Sequence, residues 1–94
     1  MHLEHFVSYI KDVRGVSEKT LRHYVGALHT INSLLEKYQF DIQNIFLVTN
    51  VNELDKVKNF LDCNPEFQEK DTVGHRMYSV AFKHYCRFSL WYKQ

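Results

Sequence analysis

Two groups of basic and hydroxyl side chains have the types and spacing that suit contact with a phosphate backbone. One group stands near the start of a predicted helix, and the other recurs along one face of a second predicted helix. The groups are Lys19, Thr20 and Arg22, and Arg76, Ser79, Lys83 and Arg87. Free amides and the helix dipole add to side-chain charge at a helix N-terminus, which favours anions there. The alternative is that both groups are ordinary solvated faces.

Catalytic chemistry has no comparable pattern in the sequence. There is no glycine-rich phosphate loop, no nucleophile elbow and no paired metal-ligand motif. The six histidines form no ligand set with either cysteine, and we do not expect a metal site at His2 and His5, three residues apart on one helical face. Nothing in the sequence supports a dyad of Cys63 with a histidine. We therefore expect a protein that is not an enzyme and has no cofactor.

The composition indicates one small globular domain that covers residues 1–94. Apolar residues make up 45% and charged residues 24%, which excludes a disordered chain. No apolar run is long enough to span a bilayer, and the N-terminus lacks the features of a signal peptide. We therefore expect a cytoplasmic protein whose two cysteines are reduced.

The net charge of +1 indicates no partner by itself, but the charges are unevenly distributed. Residues 39–70 carry three lysines and six carboxylates, a sum of −3. Residues 71–94 carry four basic residues and one aspartate, a sum of +3. The basic end of the chain therefore offers a polyanion an attractive face.

The strongest helical signal lies in residues 16–38. Apolar residues recur there every three or four positions and line one helical face; they are Leu21, Tyr24, Val25, Leu28, Ile31 and Leu35. Ser17 suits the N-cap, because its hydroxyl can accept from the amide of Lys19 or Thr20. Glu18 and Lys37 place complementary charges at the two ends of the helix dipole.

The rest of the chain predicts shorter segments. They are a helix over residues 2–13, a loop with a short helix over 39–50, a helix over 50–64, a charged connector over 65–73 and a last helix over 74–92. Gly15 suits a left-handed cap after the first helix, and Asn50 or Asn52 suits the N-cap of the third. The predicted fold class is all-α, a small single-domain bundle of four or five helices.

The end of the chain carries a second feature, the cluster Leu90, Trp91 and Tyr92. A small domain cannot easily bury side chains on every side of a terminal helix. Either the first helix covers part of this cluster, or Leu90 and Trp91 are exposed and mark a surface for a protein partner or a second copy. Such a partner would bury Trp91, whereas DNA would leave Trp91 fluorescence almost unchanged.

With these helices placed, the chain shows an ordered set of aromatic, glycine and hydroxyl positions. In the first half they are Phe6, Tyr9-Ile10, Gly15-Val16-Ser17, Thr20-Leu21, Tyr24, Leu28, Ile42 and Ile45. In the second half they are Leu54, Val57, Phe60-Leu61, Met77-Tyr78-Ser79-Val80-Ala81, Tyr85 and Phe88. The set resembles the helical N-terminal, core-binding domain of tyrosine recombinases (phage integrases). N-terminal modules of some bacterial restriction endonucleases are also similar, on the stretches Gly74-His75-Arg76-Met77-Tyr78-Ser79 and Tyr85-Cys86-Arg87-Phe88.

The resemblance implies a bundle whose second and last helices face DNA, with contact roles for Lys19, Thr20, Arg22, Arg76, Ser79 and Lys83. The sequence departs from the family where Gly74-His75 replaces the usual threonine, and it does not contain the catalytic residues of a recombinase. We therefore expect a DNA-binding accessory domain of a restriction endonuclease or recombinase-like system, with weak sequence specificity. The alternative is a small protein-interaction module or inhibitor that uses the aromatic C-terminal surface.

Overall fold

Five α-helices form the domain in a computed structural model that describes residues 2–92, and those residues contain no strand. The helices are α1 (Leu3–Tyr9), α2 (Glu18–Lys37), α3 (Val51–Asp62), α4 (Pro65–Val73) and α5 (Met77–Tyr92). A π-helical turn (Ile10–Arg14) continues α1, and a 3₁₀ turn (Ile45–Leu47) lies between α2 and α3. The predicted all-α class and number of helices are confirmed. None of these helices combines the length and apolar character needed to cross a membrane.

The long helix α2 forms as its sequence predicts. The hydroxyl of Ser17 accepts a hydrogen bond from the backbone amide of Thr20 at 3.2 Å and caps the first turn. The buried side chains of α2 follow the predicted helical period; they are Leu21, Ala27, Leu28, Ile31, Leu34 and Leu35. Gly15 precedes the cap with a φ of 66°, so it ends the first helix in the left-handed conformation as predicted. The first residue and the apolar face of α2 therefore both agree with the prediction.

The loop between α2 and α3 contains the predicted short helix, as the 3₁₀ turn. Amide side chains satisfy the backbone of this turn where no regular structure does. The Asn32 carboxamide oxygen accepts from the Ile45 amide at 2.9 Å, and its nitrogen donates to the Asn44 side chain at 3.1 Å. The Asn44 oxygen also accepts from the amide of Phe46 at 2.9 Å. These bonds fix an otherwise irregular segment against α2.

The prediction of a charged connector over residues 65–73 was wrong, because this segment is α4. Asn64-Pro65 indicated only the end of the preceding helix, but the pair also starts the next one. The Asn64 side chain accepts from the Phe67 amide at 2.9 Å, and Pro65 occupies the first turn, where its missing N–H costs nothing. The single apolar anchor of α4 is Phe67, which is buried, so the segment has little periodicity to reveal it.

The last helix begins at Met77 rather than at Gly74 as predicted. His75 and Arg76 both take left-handed backbone conformations, with φ of 55° and 65°, and so lie in a turn outside the helix. A side chain at Gly74 would meet the Tyr78 ring at 3.0 Å and the Lys70 carbonyl oxygen at 3.2 Å. The turn therefore needs glycine at residue 74 for a close approach between α4 and α5.

The core lies where α5 packs against α2, and α5 also contacts α1, α3 and α4. Tyr85 is at its centre, with its ring centroid 5.4 Å from those of Phe6 and Phe88. The Tyr85 hydroxyl lies 2.8 Å from the carbonyl oxygen of Ile45 and 2.9 Å from that of Val48, so one proton is shared between two acceptors. Burial raises the pKa of Tyr85 far above its usual value, which keeps this donor protonated.

We predict that Tyr85→Phe lowers the free energy of unfolding by about 1–3 kcal/mol, because the hydroxyl bonds to the Val48 and Ile45 carbonyl groups are lost while the ring is retained; the Ile45 carbonyl still accepts from the Val48 amide. Urea denaturation measures the loss. Tyr92→Phe is the matched control, since Tyr92 is exposed on the same helix and its substitution should cost less than about 0.5 kcal/mol. Equal stability of the two variants would contradict a structural role for the Tyr85 hydroxyl.

Candidate nucleic-acid interface

The structure places the seven residues predicted to contact DNA in four different settings. Lys19 and Arg22 are exposed near the start of α2, and Thr20 is half-buried beside them. Arg76 is exposed in the left-handed turn before α5, rather than on that helix. Lys83 and Arg87 are exposed one turn apart on α5. Ser79 alone is engaged in the interior of the fold.

At the start of α2 the hydroxyl groups serve the helix cap. Ser17 donates its hydroxyl proton to the Thr20 hydroxyl at 3.0 Å, and Ser17 also accepts from the Thr20 amide. Glu18 pairs with Lys11 of the π-helical turn at 3.2 Å. Among residues 2–92, Lys19 has no such ion pair, so its positive charge remains available to an anion.

Ser79 is bound to Asp71, a carboxylate of α4 that is only 2% exposed. The backbone amide of Ser79 donates to one carboxylate oxygen at 3.0 Å, and its hydroxyl donates to the other. Asp71 thus caps the first turn of α5 from the preceding helix, and this explains why α5 begins where it does. The hydroxyl proton of Ser79 is therefore not directed to solvent.

Arg22 lies beside the turn that carries Arg76. A shallow groove of about 390 Å³ separates the first half of α2 from the start of α5. Its lining residues are Arg22, His23, Gly26, Ala27, Thr30, Gly74, Met77 and Tyr78. The fold thus places Arg22 on one side of the groove and the turn that contains Arg76 on the other, whereas Lys83 and Arg87 do not line this groove.

A second basic cluster, Arg14, Lys83 and Arg87, lies near His84, and the sequence did not predict that Arg14 belongs to it. The His84 ring packs on that of Tyr24, with centroids 4.9 Å apart and an interplanar angle of 31°. Burial lowers the pKa of His84, and the nearby positive charges of Arg14, Arg87 and Lys83 lower it further. Within residues 2–92, the buried Nδ1 atom of His84 has no hydrogen-bond partner.

Arg14 is the member of this cluster that sequence reasoning missed. Its position before Gly15 indicated only a helix end, and the next helix begins in another direction. The π-helical turn brings Arg14 back towards α5, where it joins Lys83 and Arg87 around His84. No periodicity in the sequence predicts this proximity, because it depends on how two elements pack.

On the side of α5 that faces α3, acidic residues lie next to the basic cluster. Lys83 also lines a groove of about 470 Å³ together with Asp55 and Asp62, and Lys58 pairs with Asp62 at 2.8 Å. Cys86 lies in the same groove, where burial raises the pKa of its thiol to about 11. On this side of Lys83 the two aspartates balance the charges of Lys58 and Lys83. The excess positive charge therefore lies on the side of Lys83 that faces His84 and Arg14.

The lysines that form ion pairs are different residues from the cations of the candidate interface. In the described part of the chain, the ion pairs are Lys11–Glu18, Lys37–Glu66 and Lys58–Asp62. None of them includes a residue of the candidate interface, whose exposed cations are Arg14, Lys19, Arg22, Arg76, Lys83 and Arg87. These six charges are left to solvent or to a ligand.

The C-terminal cluster is partly covered by the first helix and partly exposed, so both alternatives from the sequence apply. Leu90, Trp91 and Tyr92 are 57%, 44% and 38% exposed, respectively. The first helix nevertheless covers part of the cluster, since Trp91 packs on Tyr9 with ring centroids 5.1 Å apart. The ring of Tyr92 likewise packs on that of His5 in the first helix, with ring centroids 5.1 Å apart. The cluster is thus anchored on its inner side and open on its outer side.

Comparison with known proteins gives no match: no family model, no curated protein and no solved structure corresponds to the chain. Within residues 2–92 there is also no group of three or more His, Cys, Asp or Glu side chains that could hold a metal ion. The geometry of the basic and aromatic side chains is therefore the basis for a functional proposal.

We predict that Ser79→Ala lowers the free energy of unfolding by about 1–3 kcal/mol, because the buried Asp71 carboxylate loses a donor. Its affinity for nucleic acid should stay at the wild-type value. Ser33→Ala is the control, since the exposed Ser33 hydroxyl bonds only to a carbonyl of its own helix. Wild-type stability combined with weaker nucleic-acid binding would instead make Ser79 a contact residue.

We predict that the free energy of unfolding falls as the pH is lowered through 6.5, the usual pKa of histidine. Because the folded-state pKa of His84 is depressed, the unfolded state takes up a proton that the folded state does not bind. The effect should be below about 1 kcal/mol, since solvent screens a half-buried ring.

Thermal unfolding between pH 8 and pH 5 measures this effect, and His84→Gln should reduce it. The pKa of His2 is lowered in the same direction, so only the difference between variant and wild type isolates His84. His23→Gln changes an exposed histidine and is the control. A pH dependence identical in His84→Gln and the wild type would contradict the depressed pKa.

Proposed function

We propose that the domain binds DNA mainly through phosphate groups, as an accessory domain of a restriction endonuclease or recombinase-like system. The observation that carries this proposal is the exposed pair Lys83 and Arg87, one turn apart on the same face of α5, with Arg14 near enough to lower the pKa of His84 together with them. No carboxylate of residues 2–92 forms an ion pair with any of the three. The resemblance to core-binding domains supports the same use of the second and last helices.

The physical reason is the cost of holding like charges together. Three cations around a half-buried imidazole repel each other, and this repulsion is relieved when an anion binds among them. Each cationic side chain that contacts a phosphate replaces condensed counterions on the nucleic acid, and the release of those ions adds to affinity. The arrangement therefore suits a ligand with several phosphates better than a single small anion.

The second basic group extends this surface. Lys19 and Arg22 on α2, and Arg76 in the turn before α5, are exposed cations without an ion pair in the described residues. Contacts of this kind fix the position of a duplex but carry little sequence information. We therefore expect weak sequence specificity.

We predict that the double variant Lys83→Ala and Arg87→Ala binds unrelated DNA sequences more weakly by a similar factor. The slope of log K against log salt should become shallower by about 1.8 for duplex DNA, because two phosphate contacts are lost. Fluorescence anisotropy of a labelled duplex at several salt concentrations, from about 50 to 200 mM, measures the slope.

The control is the double variant Lys56→Ala and Lys70→Ala, which removes the same charge from α3 and α4. It should leave the slope close to that of the wild type. If both double variants change the slope equally, only the net charge matters and the site assignment is wrong. If the wild-type domain does not bind DNA even at low salt, the proposed function is wrong.

The exposed outer side of Leu90, Trp91 and Tyr92 favours a second candidate function. A small interaction module or inhibitor would use this apolar cluster to grip a larger protein, and a homodimer would use it to bind a second copy. Analytical ultracentrifugation distinguishes the homodimer, because mass would then depend on concentration. Loss of self-association in Leu90→Ala would assign it to this cluster.

A further inference from the structure

The basic face of α5 continues into an aromatic side chain. Lys83, Arg87 and Trp91 follow each other at intervals of four residues, and all three are exposed. Residues four apart on an α-helix lie on the same face, with a rise of about 6 Å between them. The three side chains therefore form a row of two cations and one aromatic ring, which we call the α5 row.

The ring of Trp91 is held in place before any ligand binds. Tyr9, which is buried, packs against it at a centroid distance of 5.1 Å and an angle of 49°. Phe88, also buried, lies 6.4 Å away on the same inner side. Because 44% of Trp91 is still exposed, the remaining surface is a rigid aromatic platform, and a ligand that stacks on it pays little to order it.

The cations beside this platform indicate which ligand it suits. Arg87 lies one turn from Trp91, and Arg14 and Lys83 belong to the same basic cluster. An apolar protein surface that covered Trp91 would have to desolvate these cations. A nucleic acid places phosphates and flat aromatic bases close together, so it complements both parts of the α5 row.

The form of the nucleic acid follows from the accessibility of its bases. In a duplex the base faces are stacked on each other, and only base edges and the backbone are available to a protein. In a single strand the faces are free to stack on an aromatic side chain. We propose that the α5 row binds single-stranded nucleic acid, with phosphates at Lys83 and Arg87 and one base stacked on Trp91; this inference rests on the proposed function.

The first test uses Trp91 as its own probe, since it is the one tryptophan of the sequence. An oligothymidine strand and a mixed-sequence duplex of the same length are each titrated into the full chain. Tryptophan fluorescence and anisotropy of a label on the DNA are recorded together. The single strand should quench Trp91 as it binds, whereas the duplex should leave its fluorescence almost unchanged.

The second test compares variants of the C-terminal cluster. Trp91→Ala should weaken binding of the single strand about 5- to 150-fold, the range for loss of one base–aromatic stack. Trp91→Phe keeps a ring and should recover part of this loss. Leu90→Ala is the control, because Leu90 is more exposed than Trp91 and has no aromatic face. Circular dichroism establishes that each variant is folded.

The outcomes separate this inference from the function on which it rests. Quenching by the single strand, with selective weakening in Trp91→Ala, supports both. Salt-dependent binding of DNA without quenching and without an effect of Trp91→Ala keeps the proposed function and overturns the α5 row as a single-strand site. Absence of binding to single strand and duplex at about 50 mM salt overturns both and leaves the protein-interaction module.

Discussion

The buried hydroxyl of Tyr85 is the interaction on which the arrangement of the helices depends. The segment between α2 and α3 has only a 3₁₀ turn, so few of its carbonyl groups are paired within regular structure. Tyr85 supplies a donor to two of them, those of Ile45 and Val48, while its ring fills the core. An apolar residue of the same size would fill the space, but the Val48 carbonyl would lose this donor and the Ile45 carbonyl would keep only its bond from the Val48 amide. This contact therefore fixes α5 relative to the loop, and the loop relative to α2.

A second polar contact decides where α5 begins. Asp71 is buried, and its carboxylate binds the amide and hydroxyl of Ser79, while its backbone carbonyl accepts from the Arg76 amide at 2.6 Å. The turn between them is forced into two successive left-handed residues that are not glycine, which is unfavourable for L-amino acids. The fold thus accepts local strain that places Arg76 in a turn beside α2, apart from the face that carries Lys83 and Arg87.

The parts that the sequence predicted are those with local causes. The cap and apolar face of α2 depend on neighbouring residues, and Gly15 ends a helix by its own backbone preference. By contrast, α4 has one apolar anchor and an N-cap that also ends the preceding helix, so local signals do not reveal it. The two roles of Ser79 and Arg14 depend on contacts between distant elements. A hydroxyl on a basic face looks the same in the sequence whether it points to solvent or to a buried carboxylate.

The described residues differ in how far their charges are compensated within the fold. At the far end of α2, Glu66 accepts from Lys37 at 2.7 Å and from Tyr38 at 2.8 Å, so charge there is neutralised within the fold. Around His84 the opposite holds, because like charges gather beside a buried nitrogen with no partner in the described residues. The repulsion among these cations lowers stability, and an anion that binds among them relieves it. The phosphate contacts of the proposed function would therefore supply a compensation that the described residues do not provide here.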